Sequence, residues 1–203
     1  ERVVTVYHAT SATTTVDGGT LNIVGTSGNE TTITNQGSGE YAMAISAGTF
    51  NAQYYAYRNL DATGLDISGT PTITSLSYGD FELAVSGGRL INLSSTTLNY
   101  NASMVIAGNR FATTTAITGT NVYLTGTTSS AWTFTGHTGN LDGESYDSDG
   151  ASACGQVRWD DSSCLITQQT HYQWRNDDGG LGVPDSEWYD SNWGKRKAVR
   201  VDN

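Results

Sequence analysis

Two groups of side chains in this sequence have the types and spacing to do chemistry. The first is acidic: Asp142, Glu144, Asp147 and Asp149 share one short stretch. Oxygen ligands at alternate positions, followed by a glycine for a sharp turn, are what a calcium loop requires. Ser145-Tyr146-Asp147-Ser148-Asp149-Gly150 reads as the first half of such a loop. The pattern is degenerate, because Ser145 stands first and Gln156 occupies the place of the closing glutamate. Asp160 and Asp161 could complete the shell from a neighbouring loop, and a plain solvated acidic loop accounts for the same residues without an ion. Calcium is the one cofactor this reading offers. The second group is Arg58, Asp61, Asp80, Glu82 and Arg110, which recur on one strand type. Paired carboxylates can do acid–base work, and enzymes built on solenoids that cleave polysaccharides place such residues together. No lysine or histidine joins this group, and Asp, Glu and Arg are also what a solvated strand face carries.

Other chemistry lacks its signature. His8, His137 and His171 are scattered without ligand spacing, and neither a Gly-x-Ser-x-Gly elbow nor a phosphate-binding loop occurs. Cys154 and Cys164 are the only cysteines, close in sequence and without partners for a zinc site. They read as a disulfide, which places the chain in an oxidising compartment. The net charge of −10 argues against nucleic acid, which calls for a basic stripe, and against anionic membranes. No apolar run approaches the length of a membrane span. The sequence opens on Glu1 with no leader and no initiator Met, and reads as a processed or trimmed product. Both lysines, Lys195 and Lys197, lie beside Arg196 and Arg200, which makes a basic tip on an acidic body.

The elements that must position these groups are short strands. Leu21-Asn22-Ile23-Val24-Gly25-Thr26, Leu65-Asp66-Ile67-Ser68-Gly69-Thr70 and Val122-Tyr123-Leu124-Thr125-Gly126-Thr127 each alternate apolar and polar positions and close on Gly-Thr. A second element recurs around Arg58–Ala62, Gly79–Ala84 and Gly108–Ala112. Two strand types alternating at a spacing of roughly 20–30 residues indicate solenoid coils. The expected fold is all-β, a right-handed parallel β-helix, with a β-sandwich or jelly roll as the alternative. Leu21, Ile23, Leu65, Ile67, Leu90, Val122 and Leu124 should point inward, because strand side chains alternate with period two. Strands are expected at 2–8, 20–25, 31–35, 40–46, 52–58, 64–68, 72–77, 80–85, 89–94, 103–106, 121–125 and 131–135, with Thr10 to Gly19 as a turn region.

Composition shifts near Gly139. Eleven of the twenty acidic residues fall between 142 and 190, with Trp159, Trp174, Trp188 and Trp193. A solenoid needs a cap over its last open coil. The chain therefore divides into a solenoid over 1–138 and an acidic, Trp-rich, disulfide-stapled cap over 139–203. The segment Trp174-Arg175-Asn176-Asp177-Asp178-Gly179, with Trp188-Tyr189-Asp190-Ser191-Asn192-Trp193 after it, resembles the β-helical stretches of very large secreted bacterial surface proteins. There a Trp-Arg-Asn-Asp-Asp-Gly segment often precedes a lectin-like domain. The resemblance implies an extracellular, modular, non-catalytic protein, and it carries no catalytic residues over.

Two functions follow as expectations. The first is a structural module of a surface filament or stalk, self-associating head to tail. Its assembly strands are Val3, Val4 and Val6 at one end and Lys195, Lys197, Val199, Arg200 and Val201 at the other, since an unpaired strand invites pairing. The second is an adhesin or carbohydrate-binding module, with Tyr54, Tyr55 and Tyr57 stacking on surface glycans. A polysaccharide lyase-like enzyme ranks below both.

Overall fold

The computed structural model describes residues 4–150 and 155–160. The chain winds into a β-solenoid of about six turns. In chain order the elements are β1 (Thr5–His8), β2 (Thr13–Val24), β3 (Thr31–Asn35), β4 (Tyr41–Ile67), β5 (Thr72–Leu83), β6 (Gly88–Ser94), α1 (Ser95–Tyr100), β7 (Val105–Ala107), β8 (Arg110–Phe111), β9 (Gly119–Thr125), β10 (Trp132–Thr135) and β11 (Val157–Trp159). Every ladder between them is parallel. Sandwiches and jelly rolls are built from antiparallel neighbours, so that alternative is excluded.

Three faces form. The first stacks Val6, Ile33, Tyr57, Phe81 and Phe111 in register. The second stacks Leu65, Ile91 and Val122, and Ile67, Leu93 and Leu124. The third stacks Ile23 on Ala52 and Ala52 on Leu76, and further along Ile106 on Phe134 and Phe134 on Trp159. Nearly all of these are fully buried, so the core is a set of columns running along the axis. Of the seven residues expected inside, six are buried and Leu21 packs against the core from the first coil. Aromatic rings continue the columns: Phe81 stacks on Phe111 at 5.8 Å, and Phe134 on Trp159 at 4.8 Å.

The coils differ in length because the corners differ. The chain takes 23 residues from Thr49 to its partner Thr72, but 31 from Gly88 to Gly119. Part of the longer coil is α1, which the strand periodicity did not announce. Ser94 caps it by accepting from Thr97 N at 3.1 Å, and Leu98 turns into the core. Asn101 closes it, donating to Thr97 O and Pro71 O and accepting from Ile73 N. The corner from the third face to the first is far tighter. A single residue in the left-handed region makes it: Tyr54, Tyr78, Gly108 and Gly136 in successive coils, with φ of 52°, 57°, 66° and 57°.

Three boundaries depart from the sequence reading. The Thr/Ser/Gly stretch expected as turn holds the first half of β2, because Thr13–Val16 find parallel partners in Ala42–Ile45. The separate strands expected between 40 and 68 run together as β4, bending around the corners without leaving extended geometry. Parallel pairing also continues past the composition shift, as Trp132 and Phe134 pair with Val157 and Trp159. The expected Cys154–Cys164 bond, and the strand carrying Lys195, Lys197, Val199, Arg200 and Val201, lie outside the described residues, as does Val3.

Candidate functional site

On the exterior of the first face, alternation turns Arg58, Asp80, Glu82 and Arg110 outward between buried Tyr57, Phe81 and Phe111. Each lies one coil from its partner, and parallel register brings them together. Asp80 Oδ2 accepts from both Arg58 Nη2 and Arg110 Nη2. Arg58 Nη1 lies 3.7 Å from Glu82 Oε2, and Glu82 accepts from Thr113 Oγ1 at 2.5 Å. Burial by itself would raise the Asp80 carboxyl, but hydrogen bonds from the two guanidiniums outweigh it and hold the group below its ordinary value. The hydrogen bond to Asp80 raises Arg58 and Arg110 in turn. A carboxylate kept ionised between two arginines is a poor general acid, and both guanidiniums bond the same oxygen, Oδ2. Asp61 does not join. Its Oδ1 accepts from Thr63 N and Gly64 N and shapes the turn before the second face.

The acidic residues of the sixth coil are also placed. Glu144 opens a single turn of 3-10 helix that ends at Tyr146. Ser148 N donates to Val122 O, and Ser148 O accepts from Leu124 N, so this segment runs alongside β9. Asp147 Oδ2 accepts from the Trp159 indole at 2.7 Å, and Asp149 Oδ2 from Val157 N at 2.8 Å. These carboxylates thus tie the sixth coil's second face to its third. Burial pushes the Asp147 carboxyl up to about 7, with Asp149 and Glu144 adding repulsion and the indole opposing it. Asp142 and Asp160 flank His137, at 3.7 Å from Nδ1 and 3.0 Å from Nε2. Among the described residues no group of three or more His, Cys, Asp or Glu side chains is placed to hold a metal ion. The calcium reading gains no ligand set there.

The tyrosines divide differently from the expectation. Tyr55 and Tyr57 are fully buried and cannot stack on a sugar. Tyr54 alone stays outside, because the left-handed residue at this corner reverses the inward–outward parity. Its ring stacks on Tyr78 at 4.6 Å and 7°, so the pair spends a ring face of each member on the other.

At the end of the solenoid where β1 and β2 lie, each strand has a ladder on one side only among the described residues. Val4 is 51% exposed, Val6 43% and Tyr7 64%. Val4 and Val6 of this edge were expected as an assembly strand from their apolar alternation, whereas the first half of β2 was not, because its Thr-rich stretch reads as turn. No protein-family model matches the chain, and neither do curated proteins or solved structures. No helix among the described residues is long and apolar enough to cross a membrane.

Proposed function

We propose that this chain is a non-enzymatic structural module of an extracellular bacterial surface stalk or filament, extended by adding β-coils end to end. One observation carries the reading: the outer edge of β1 and β2, a run of backbone groups with no strand partner among the described residues, bordered by exposed Val4 and Val6. Such an edge is a template for another strand, and head-to-tail addition without closure makes a filament. Charge supports a direction. Residues 4–57 carry Asp17, Glu30 and Glu40 and no lysine or arginine, while Lys195 and Lys197 precede Val199 and Val201, with Arg200 between the two valines. A strand of that composition from a neighbour meets an apolar edge whose one charged side chain among β1 and β2 is Asp17. The chemistry of the first face supports the non-enzymatic part, since its carboxylates serve as ladder partners.

The test is sedimentation and negative-stain microscopy of the full chain over a rising concentration series. Rods that lengthen with concentration are expected, and Val6→Asp should leave folded single particles. Raised salt should slow elongation more than it shortens finished rods, because surface charges chiefly steer encounter. A chain that stays monomeric throughout, or rods indifferent to Val6→Asp, would sink the reading.

A further inference from the structure

We propose that the exterior of the third face, from the first coil to the fifth, is a binding surface for neutral polysaccharide. With Ile23, Ala52, Leu76, Ile106 and Phe134 inside, their neighbours turn outward. Parallel register lines up Asn22, Asn51 and Ser75 in one column and Val24, Gln53 and Ser77 in the next. The columns resume as Val105 with Thr133 and Ala107 with Thr135, and Ala107 N donates to Ser77 Oγ across the junction at 3.1 Å. No charged side chain stands in either column until Arg158 and Asp160 in the sixth coil.

That neutrality sets the face apart in a chain of net charge −10. The first face carries the Arg58–Asp80–Arg110 cluster, and the second carries Asp66 and Arg89, both bonded to Asn92. A surface without cations does not recruit a uronate or phosphate polymer, and the acidic body around it repels one. Sugar hydroxyls both donate and accept, and Asn and Gln amides offer both functions without a counter-ion to desolvate. Val24 and Val105, 50% and 66% exposed, offer apolar ground for the C–H faces of a pyranose. Strands about 4.8 Å apart repeat these groups along the axis. The face therefore suits an extended polymer, on which many weak contacts act together.

The test is retention of the full chain on insoluble cellulose, chitin and a cross-linked polygalacturonate. Binding to a neutral polymer and not to the anionic one is expected. Asn51→Glu with Gln53→Glu should weaken it about tenfold or more, because an unpaired charge must be desolvated at the contact. Thr125→Glu, on the exposed second face, should leave it unchanged. Val105→Lys repeats the test at a more exposed position, with circular dichroism and melting reporting on the fold. Three results would overturn the proposal: no retention on either neutral polymer, equal loss in the Thr125 variant, or a wild-type dimer that the third-face substitutions dissociate, which would make a second copy the occupant. Each stands apart from the filament reading, which turns on Val6 and rod length.

Discussion

Tyr57 sits fully buried in the first-face column, and its phenol oxygen has no hydrogen-bond partner there. A buried hydroxyl left unpaired costs about 1–3 kcal/mol. Tyr57→Phe keeps the ring stacked on Phe81 and should therefore stabilise the protein, by about 1 kcal/mol, as a rise in the denaturant midpoint. Asp80 works the opposite way. Asp80→Ala strands two guanidiniums that it now pairs and should cost about 2 kcal/mol, within the range for hydrogen bonds to charged groups. The two perturbed carboxyls also differ in sign with pH. Asp147 is raised from 3.8 to about 7, so its proton binds the folded state more tightly. That stabilisation is complete below 3.8, and it is lost as pH rises through 7. Asp80 is lowered, so it contributes stability above the ordinary carboxyl value and loses it as pH falls through its own lower one. Between pH about 7 and about 4, acid should tighten the sixth coil. Fluorescence of Trp159, bonded to Asp147, should report it in denaturant titrations, and Asp147→Asn should flatten the response. A pH-independent sixth coil in the wild type would refute the assignment.

The elements answer to corners more than to strands. Ser94→Ala removes the cap of α1 and should cost about 1 kcal/mol. Gly108→Ala is the harsher change. A Cβ there would fall 2.5 Å from the Tyr78 ring, at a backbone φ of 66°. Its unfolding midpoint should drop further than that of Ser94→Ala, and the Tyr54–Tyr78 stack should open. Strand interiors were legible in the sequence because Leu65, Ile67, Val122 and Leu124 alternate with polar neighbours, and period two has one physical cause. The corners were not. Whether Tyr54 or Tyr55 faces inward depends on a single left-handed residue between two faces, and no side-chain pattern marks a tyrosine as that residue. Thr13–Val16 read as turn because Thr, Ser and Gly favour turns locally, yet long-range pairing with β4 outweighs local preference. The candidate site was legible by halves. Arg58, Asp80, Glu82 and Arg110 lie on recurring copies of one element, which shows that they share a face. That Asp80 bridges both arginines, while Asp61 turns away to cap a turn, depends on register that only the coil lengths set.

Across the whole molecule each coil touches only its neighbours, so stability is close to a sum of coil and interface terms. Hydrogen exchange should therefore be slowest in β4, β5 and β6 and fastest in β1 and the first half of β2, which lean on one neighbour only among the described residues. Uniform protection along the axis would contradict this picture. The same arrangement bears on how the molecule tolerates new sequence. The corner from the third face to the first is one residue wide in the coils carrying Tyr54, Tyr78, Gly108 and Gly136, and widens in the first coil, where residues 25–30 stand between Val24 and Thr31 against Tyr54 alone in the second. The other corners already vary, and one has taken in the whole of α1. Foreign peptides grafted between Thr114 and Thr118 should be carried without loss of fold, whereas the same graft beside Tyr78 should abolish it. From the second coil to the fifth the solenoid is then a frame with one narrow seam and two open margins, and lineage variation should accumulate at the margins.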